Sequence, residues 1–300
     1  MKLDAATLLE LGEIARTAAL RAGALIAERR GDILETRIKS TGSSPASRIV
    51  TEVDRQSQAV ILDILAPSVE RHDLGLLAEE SADDASRLEK DHFWCVDPLD
   101  GTLPYSEGKP GFAVSIALVA RDGRPLIGVI HDPHVGTLYH GIHQAGAFKN
   151  ERPFTPVPAS PERFSLVVDQ SFQTHHRYSA RLAAITRLLK EHDYPEPHVV
   201  QAGGAVMNAC HVLEHAPACY LKFPRKDPGG GSLWDYAATA AIFHESGAWA
   251  TDANGKAMEL NRPDSTFMNH RGVLFASDAR IASVLLSAMD ELDVDDPAGE

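Results

Sequence analysis

The chain has 300 residues, 44% of them hydrophobic and 24% charged, which allows a substantial core and excludes a disordered or fibrous protein. Lys and Arg total 29 against 42 Asp and Glu, a formal net charge of -13 that repels nucleic-acid backbones and anionic membranes. Cys95, Cys210 and Cys219 are the only cysteines and no two are spaced C-x-x-C, so neither a disulfide framework nor a thiolate zinc site is expected; no signal-peptide core or membrane-spanning apolar window stands out, and a cytoplasmic location is expected.

From about Asp4 to Arg30 the spacing predicts one helix, with Asp4 as N-cap and Leu8, Leu9, Ile14, Leu20 and Leu25 on the returning face, stopped at Gly31. Ser, Gly and Pro between Ser40 and Ser47 predict a mobile loop. A second helical segment is expected from Ile49 to about Leu65, then a short strand over Leu74–Leu77 that ends in Glu79 and Glu80. Phe93–Val96 reads as a buried strand, and Phe112–Val119 and Leu126–Ile130 as strands joined by a turn. Leu138–Gly141 and Ala147–Phe148 continue that sheet. The proline-rich stretch Pro153–Pro161 suggests a division into an N-terminal α+β subdomain, 1–155, and a C-terminal α/β subdomain, 156–300. Beyond it, strands at Ser165–Val168, Val199–Gln201 and Ala218–Phe223 alternate with helices at Ala180–Glu191 and Gly204–Glu214, and the tail from Asp290 is acidic and frayed.

The most informative run is Asp97-Pro98-Leu99-Asp100-Gly101-Thr102. Pro98 lacks a backbone donor and drives Asp97 out of helical geometry, so the chain turns at the strand's end. Both carboxylates and the Leu99 carbonyl could then face one point, a donor set suited to a hard cation such as magnesium. The N–H groups of Gly101 and Thr102 would open a helix able to hold a phosphate. The bland reading is an acidic turn that caps a helix. Three more segments carry carboxylates: Glu79-Glu80 after an apolar run, Asp54 in Thr51-Glu52-Val53-Asp54, and Asp235 in Trp234-Asp235-Tyr236-Ala237-Ala238 after Gly229-Gly230-Gly231. Taken singly, a carboxylate at a helix start is more often a cap than a ligand.

Together and in this order, these segments resemble the inositol monophosphatase superfamily, which includes bisphosphate nucleotidases and fructose bisphosphatases. The resemblance runs from about Leu8 to Ser277, with Asp97–Thr102 and Trp234–Ala238 as its two signatures and Gly203–Tyr220 as a third matching segment. It implies a layered αβαβα sandwich of the sugar-phosphatase type, classed as α/β (α+β), and a magnesium-dependent phosphomonoesterase that uses two or three Mg2+ ions. It also implies a metal set of Glu79, Asp97, the Leu99 carbonyl, Asp100 and Asp235. Glu79, Asp97 and Leu99 would hold one ion, Asp97, Asp100 and Asp235 a second, and a weaker third would sit near Glu79. Glu79, Thr102 and Asp54 are the catalytic set, with Thr102 orienting a water and Asp54 bonding the threonine. Gly101 and Thr102 would bind phosphate. No covalent intermediate is expected. A homodimer and inhibition by lithium follow from the same resemblance.

Two features depart from the family pattern. Leu103-Pro104-Tyr105 follows Thr102, which alters the start of the helix. Lys222 stands where a glutamate is common, followed by Arg225 and Lys226, and this basic group suggests a substrate with a second anionic group. The loop looks more like the Tyr-Pro-Arg of bisphosphate nucleotidases, and this resemblance implies 3′-phosphoadenosine 5′-phosphate, cleaved to AMP, as the preferred substrate; the alternatives are inositol 1-phosphate or another sugar phosphate, or a non-catalytic binding module. The basic group also reads as a solvated loop on an acidic protein. Other chemistries fit less well. The D-x-D-G-T-L motif of haloacid-dehalogenase phosphatases has its aspartates two apart rather than three, no H-E-x-x-H is present, and Gly229–Gly231 lacks the Lys-Ser/Thr of a P-loop.

Overall fold

The computed structural model describes residues 3–30, 37–38, 49–50, 52–157 and 162–293. The expected stop at Gly31, the expected loop at Ser40–Ser47 and the tail past residue 293 lie outside them. Asp4 caps the first helix, Ala5–Glu28, by accepting the Thr7 N–H, and Leu11, Ala15, Ala18, Ala22 and Ile26 form its buried stripe.

The second helix spans Glu52–His72 and differs from expectation at both ends. Ile49–Val50 is a strand paired with Arg37–Ile38, so the helix starts later. It also continues past Pro67, held there by a tertiary contact: the Trp94 indole donates to Ser68 Oγ, which in turn donates to the Leu65 carbonyl.

Among the described residues, seven strands form the first sheet in simple sequence order: Gly75–Ala78, His92–Asp100, Ala113–Ala120, Pro125–Asp132, Thr137–Ile142, Gly146–Lys149 and Arg152–Pro153. The first pair is parallel and the rest are antiparallel. A second sheet of five strands runs Pro197–Val200, Phe164–Val167, Ala218–Lys222, Val273–Ala276, Trp249–Thr251, with its first three strands parallel. Sequence patterning missed the last two of these, which are short and completed only by pairing with Ala218–Lys222 and with each other.

The layers follow from which faces are apolar. Ala5–Glu28 and Glu52–His72 cover one face of the seven-stranded sheet around Trp94, Val96 and Ile116. Ala205–Glu214 and Leu233–Ser246 lie between the sheets in a core that includes Phe93, Tyr220, Tyr236 and Phe275. Tyr178–Glu191 and Ala279–Ser287 close the outer face of the second sheet around Phe164, Ile185 and Leu285. The result is a layered α/β sandwich with the order αβαβα. Among the described residues, no helix is long and apolar enough to cross a membrane.

Candidate metal centre

In a regular strand, residues three apart point to opposite faces. Asp97 and Asp100 escape this rule through a bulge. Asp97 pairs with Ser115 and Asp100 with Ala113, so three steps on one strand match two on its partner. The extra residue lies in the Pro98-Leu99 segment, where Pro98 has no N–H to give to the ladder. The pleat is reset by one, and both carboxylates reach the same side. Asp97 Oδ1 then accepts the Leu99 N–H at 3.0 Å, which tightens the bulge.

Asp235 arrives from the other half of the chain. Ser115, opposite Asp97, donates its hydroxyl to the Trp234 carbonyl at 3.0 Å and so ties the start of helix Leu233–Ser246 to the strand. Within that helix, Asp235 Oδ2 accepts the Ser232 N–H at 2.9 Å. Asp235 is thus a cap, as the bland reading has it, and its side chain also reaches the cluster. Carboxylate oxygens of Asp97, Asp100 and Asp235 all lie within 4.8 Å of one another.

Asp100 is held from the second half as well. Its Oδ1 accepts the Ala205 N–H at 3.1 Å and its Oδ2 the Val206 N–H at 3.0 Å, in the first turn of helix Ala205–Glu214. Glu79 follows strand Gly75–Ala78, its N–H bonded to the Val96 carbonyl, and its charge acts on the Asp97 carboxyl. Burial, then the charges of Glu79, Asp100 and Asp235, push the Asp97 carboxyl well above its ordinary pKa. Burial and Asp235 do the same to Asp100, against the Val206 N–H.

Such a cluster fits a divalent cation. The carboxylates of Asp97, Asp100 and Asp235 supply only hard oxygen donors, and bringing the buried charges together calls for positive charge in return. Thr102 stands beside this group at the start of the short helix Thr102–Ser106. Its hydroxyl lies 2.9 Å from Asp54 Oδ1 and 3.2 Å from the Leu99 carbonyl. Gly101, before it, has φ 83°, and a Cβ there would come within 2.4 Å of the Gly111 carbonyl, so no side chain fits.

The basic residues separate. Lys222, at the end of strand Ala218–Lys222, pairs with Asp169 at 2.8 Å, both largely buried, while Arg225 and Lys226 are exposed on the following turn. Burial alone would lower the Lys222 pKa, but the Asp169 carboxylate more than offsets it and the ammonium is held charged. The sequence reading missed Asp169, because only the parallel pairing of Phe164–Val167 with Ala218–Lys222 brings the two strand ends together. It also passed over Ser57, whose hydroxyl donates to the Pro98 carbonyl at 2.8 Å.

Comparison with known proteins bears on the family and the fold. A model of the inositol monophosphatase family matches residues 8–293. An inositol-1-monophosphatase of Synechocystis sp. is 36% identical over 78% of this chain and 76% of its own length. The Nus factor SuhB of Pasteurella multocida is 30% identical over 81% of this chain and 85% of its own. Among solved structures, the extragenic suppressor protein SuhB of Bartonella henselae has a TM-score of 0.71 at 23% identity, covering 94% of this chain and 99% of its own. The chain belongs to the inositol monophosphatase family.

Proposed function

We propose that this member of the inositol monophosphatase family is a magnesium-dependent phosphomonoesterase of small phosphorylated metabolites. The convergence of Asp97, Asp100 and Asp235 within 4.8 Å, in a buried setting, carries the reading. Glu79, Asp97 and the Leu99 carbonyl would hold one Mg2+, and Asp97, Asp100 and Asp235 a second, with a weaker third ion near Glu79. When bound, these ions would lower the pKa of a water and neutralise charge on the phosphate and the leaving oxygen.

The protein's own groups do the rest. The Thr102 hydroxyl directs its proton to Asp54, which leaves its lone pairs to accept a hydrogen bond from the attacking water. Glu79 is a further acceptor on the same side. Backbone N–H groups of Gly101 and Thr102 would hold the phosphate oxygens. No side-chain nucleophile is required. Lithium inhibition, a homodimer, a cytoplasmic location and the two subdomains 1–155 and 156–300 belong to the same proposal.

Two substrates compete. Lys222, Arg225 and Lys226 taken as a run favour the second phosphate of 3′-phosphoadenosine 5′-phosphate. The Lys222–Asp169 pair favours inositol 1-phosphate, because an ammonium neutralised by a carboxylate at 2.8 Å has less charge to offer a second phosphate. A donor beside an acceptor also suits neighbouring hydroxyls. The inositol phosphatase named among the relatives supports this reading for the substrate. Phosphate release with Mg2+ from the two compounds side by side tests it. Preference for the inositol ester supports the paired-lysine reading, preference for the nucleotide restores the basic run as a second-phosphate site, and release from neither, with Mg2+ bound, points to another sugar phosphate or to a binding module.

A further inference from the structure

We propose that Gln58 is a positioning residue that sets magnesium affinity at the Glu79 end of the centre; this rests on the metal reading above. Glu79 and Glu80 are the central residues of a turn closed by the Ser81 N–H on the Ala78 carbonyl at 3.2 Å. At its start the Glu79 N–H bonds the Val96 carbonyl at 3.1 Å. The buried side chain of Gln58 grips the turn twice. Gln58 Oε1 accepts the Glu80 N–H at 2.9 Å, and Gln58 Nε2 lies 2.7 Å from Ser81 Oγ. A backbone N–H can only donate, so the amide orientation is fixed with Oε1 towards Glu80 and Nε2 towards Ser81.

The grip belongs to a wider arrangement. Asp54, Ser57 and Gln58 are spaced i, i+3, i+4 and share one face of helix Glu52–His72. Asp54 receives the Thr102 hydroxyl, Ser57 bonds the Pro98 carbonyl inside the bulge, and Gln58 holds the Glu79–Glu80 turn. One rigid helix face therefore fixes three separate segments of the centre relative to one another. Gln58 holds the turn that carries Glu79, and it does this with a neutral amide, adding no charge to the acidic cluster.

Groups that orient metal ligands typically change metal affinity by about 10–100-fold when removed. Magnesium titration by calorimetry, with thermal unfolding in EDTA as the control for folding, tests the inference on wild type, Gln58→Ala, Gln58→Glu and Ser81→Ala. We expect Gln58→Ala to raise one magnesium dissociation constant about tenfold. Gln58→Glu can still accept both the Glu80 N–H and the Ser81 hydroxyl and adds a negative charge near the cations, so no magnesium dissociation constant should rise. Ser81→Ala, which leaves the Glu80 bond intact, should weaken the same constant about threefold and serves if Gln58→Ala does not fold. A folded Gln58→Ala or Ser81→Ala with every magnesium constant unchanged overturns the inference, and a lowered melting temperature alone marks Gln58 as a stability residue. A wild type that binds no Mg2+ overturns the metal reading itself.

Discussion

Asp100 Oδ2 accepts the backbone N–H of Val206 at 3.0 Å, a bond between the bulged strand of the first sheet and the helix that lies between the two sheets. The same carboxylate lies in the triad with Asp97 and Asp235. Asp100 therefore has two separable duties, helix cap and proposed metal ligand, whereas the one backbone bond of Asp97 stays within its own turn, to Leu99. Asp97→Asn should abolish Mg2+-dependent phosphate release, a larger effect than the roughly 10–100-fold typical of supporting groups. In EDTA it should be no less stable than wild type, since it removes one charge from a buried like-charged group. Asp100→Ala should lose activity and, by urea denaturation, lie about 1–2 kcal/mol below Asp97→Asn for the lost cap. Equal stability of the two variants would remove the capping role.

Thr102→Val keeps the shape but deletes the hydroxyl that bonds Asp54. The buried carboxylate then loses a donor, which costs about 1–2 kcal/mol. Turnover with saturating Mg2+ should fall by roughly 10²–10⁴-fold if Thr102 handles the attacking water. Thr102→Ser restores the hydroxyl and should recover most of that rate; a Val variant with wild-type turnover assigns the water to another group.

The Lys222–Asp169 pair has a pH signature. Burial would raise the Asp169 pKa, but Lys222 and hydrogen bonds from Ser171 and Phe172 more than offset this, and the folded value lies below the ordinary 3.8. A depressed carboxylate stabilises the fold above its unfolded pKa, and the stabilisation fades as pH falls through the folded value. Asp169→Asn leaves Lys222 largely buried without its counter-charge, at a cost of about 3 kcal/mol at pH 7. The gap from wild type should hold from pH 7 to about 5 and shrink below about 4. Urea midpoints across that range check it.

Two glycines bring the halves together beside Asp100. A Cβ on Gly203 would stand 2.1 Å from the Gly111 carbonyl oxygen, and the Gly204 N–H donates to that oxygen at 2.9 Å. Gly203→Ala should destabilise by about 3 kcal/mol, because backbone must move. Gly108→Ala is the control. Its φ is 69° but nothing lies within 4 Å, so only the left-handed strain of about 1 kcal/mol remains. Similar midpoints for the two variants would show that the contact yields easily.

Much of the fold was legible in the sequence because its signals are local. Helix Ala5–Glu28 has its cap and apolar stripe within one stretch, and the strands from Ala113 to Lys149 alternate with clear turns. The acidic residues also stood out, since carboxylates at the ends of apolar runs are unusual and Pro98 marks a break. Tertiary structure decided what depends on partners far along the chain. Helix Glu52–His72 runs past Pro67, and just beyond it the distant Trp94 bonds Ser68. Strands Trp249–Thr251 and Val273–Ala276 exist by pairing rather than by pattern. Lys222 looks like part of a basic run until parallel strands set Asp169 beside it. Residue types and their order are properties of the chain alone, and they carried the family and the list of candidate ligands. Whether Asp97 and Asp100, three apart, face one point or opposite faces depends on a one-residue register shift against the strand Ala113–Ala120, and register is set by packing between segments, not within either.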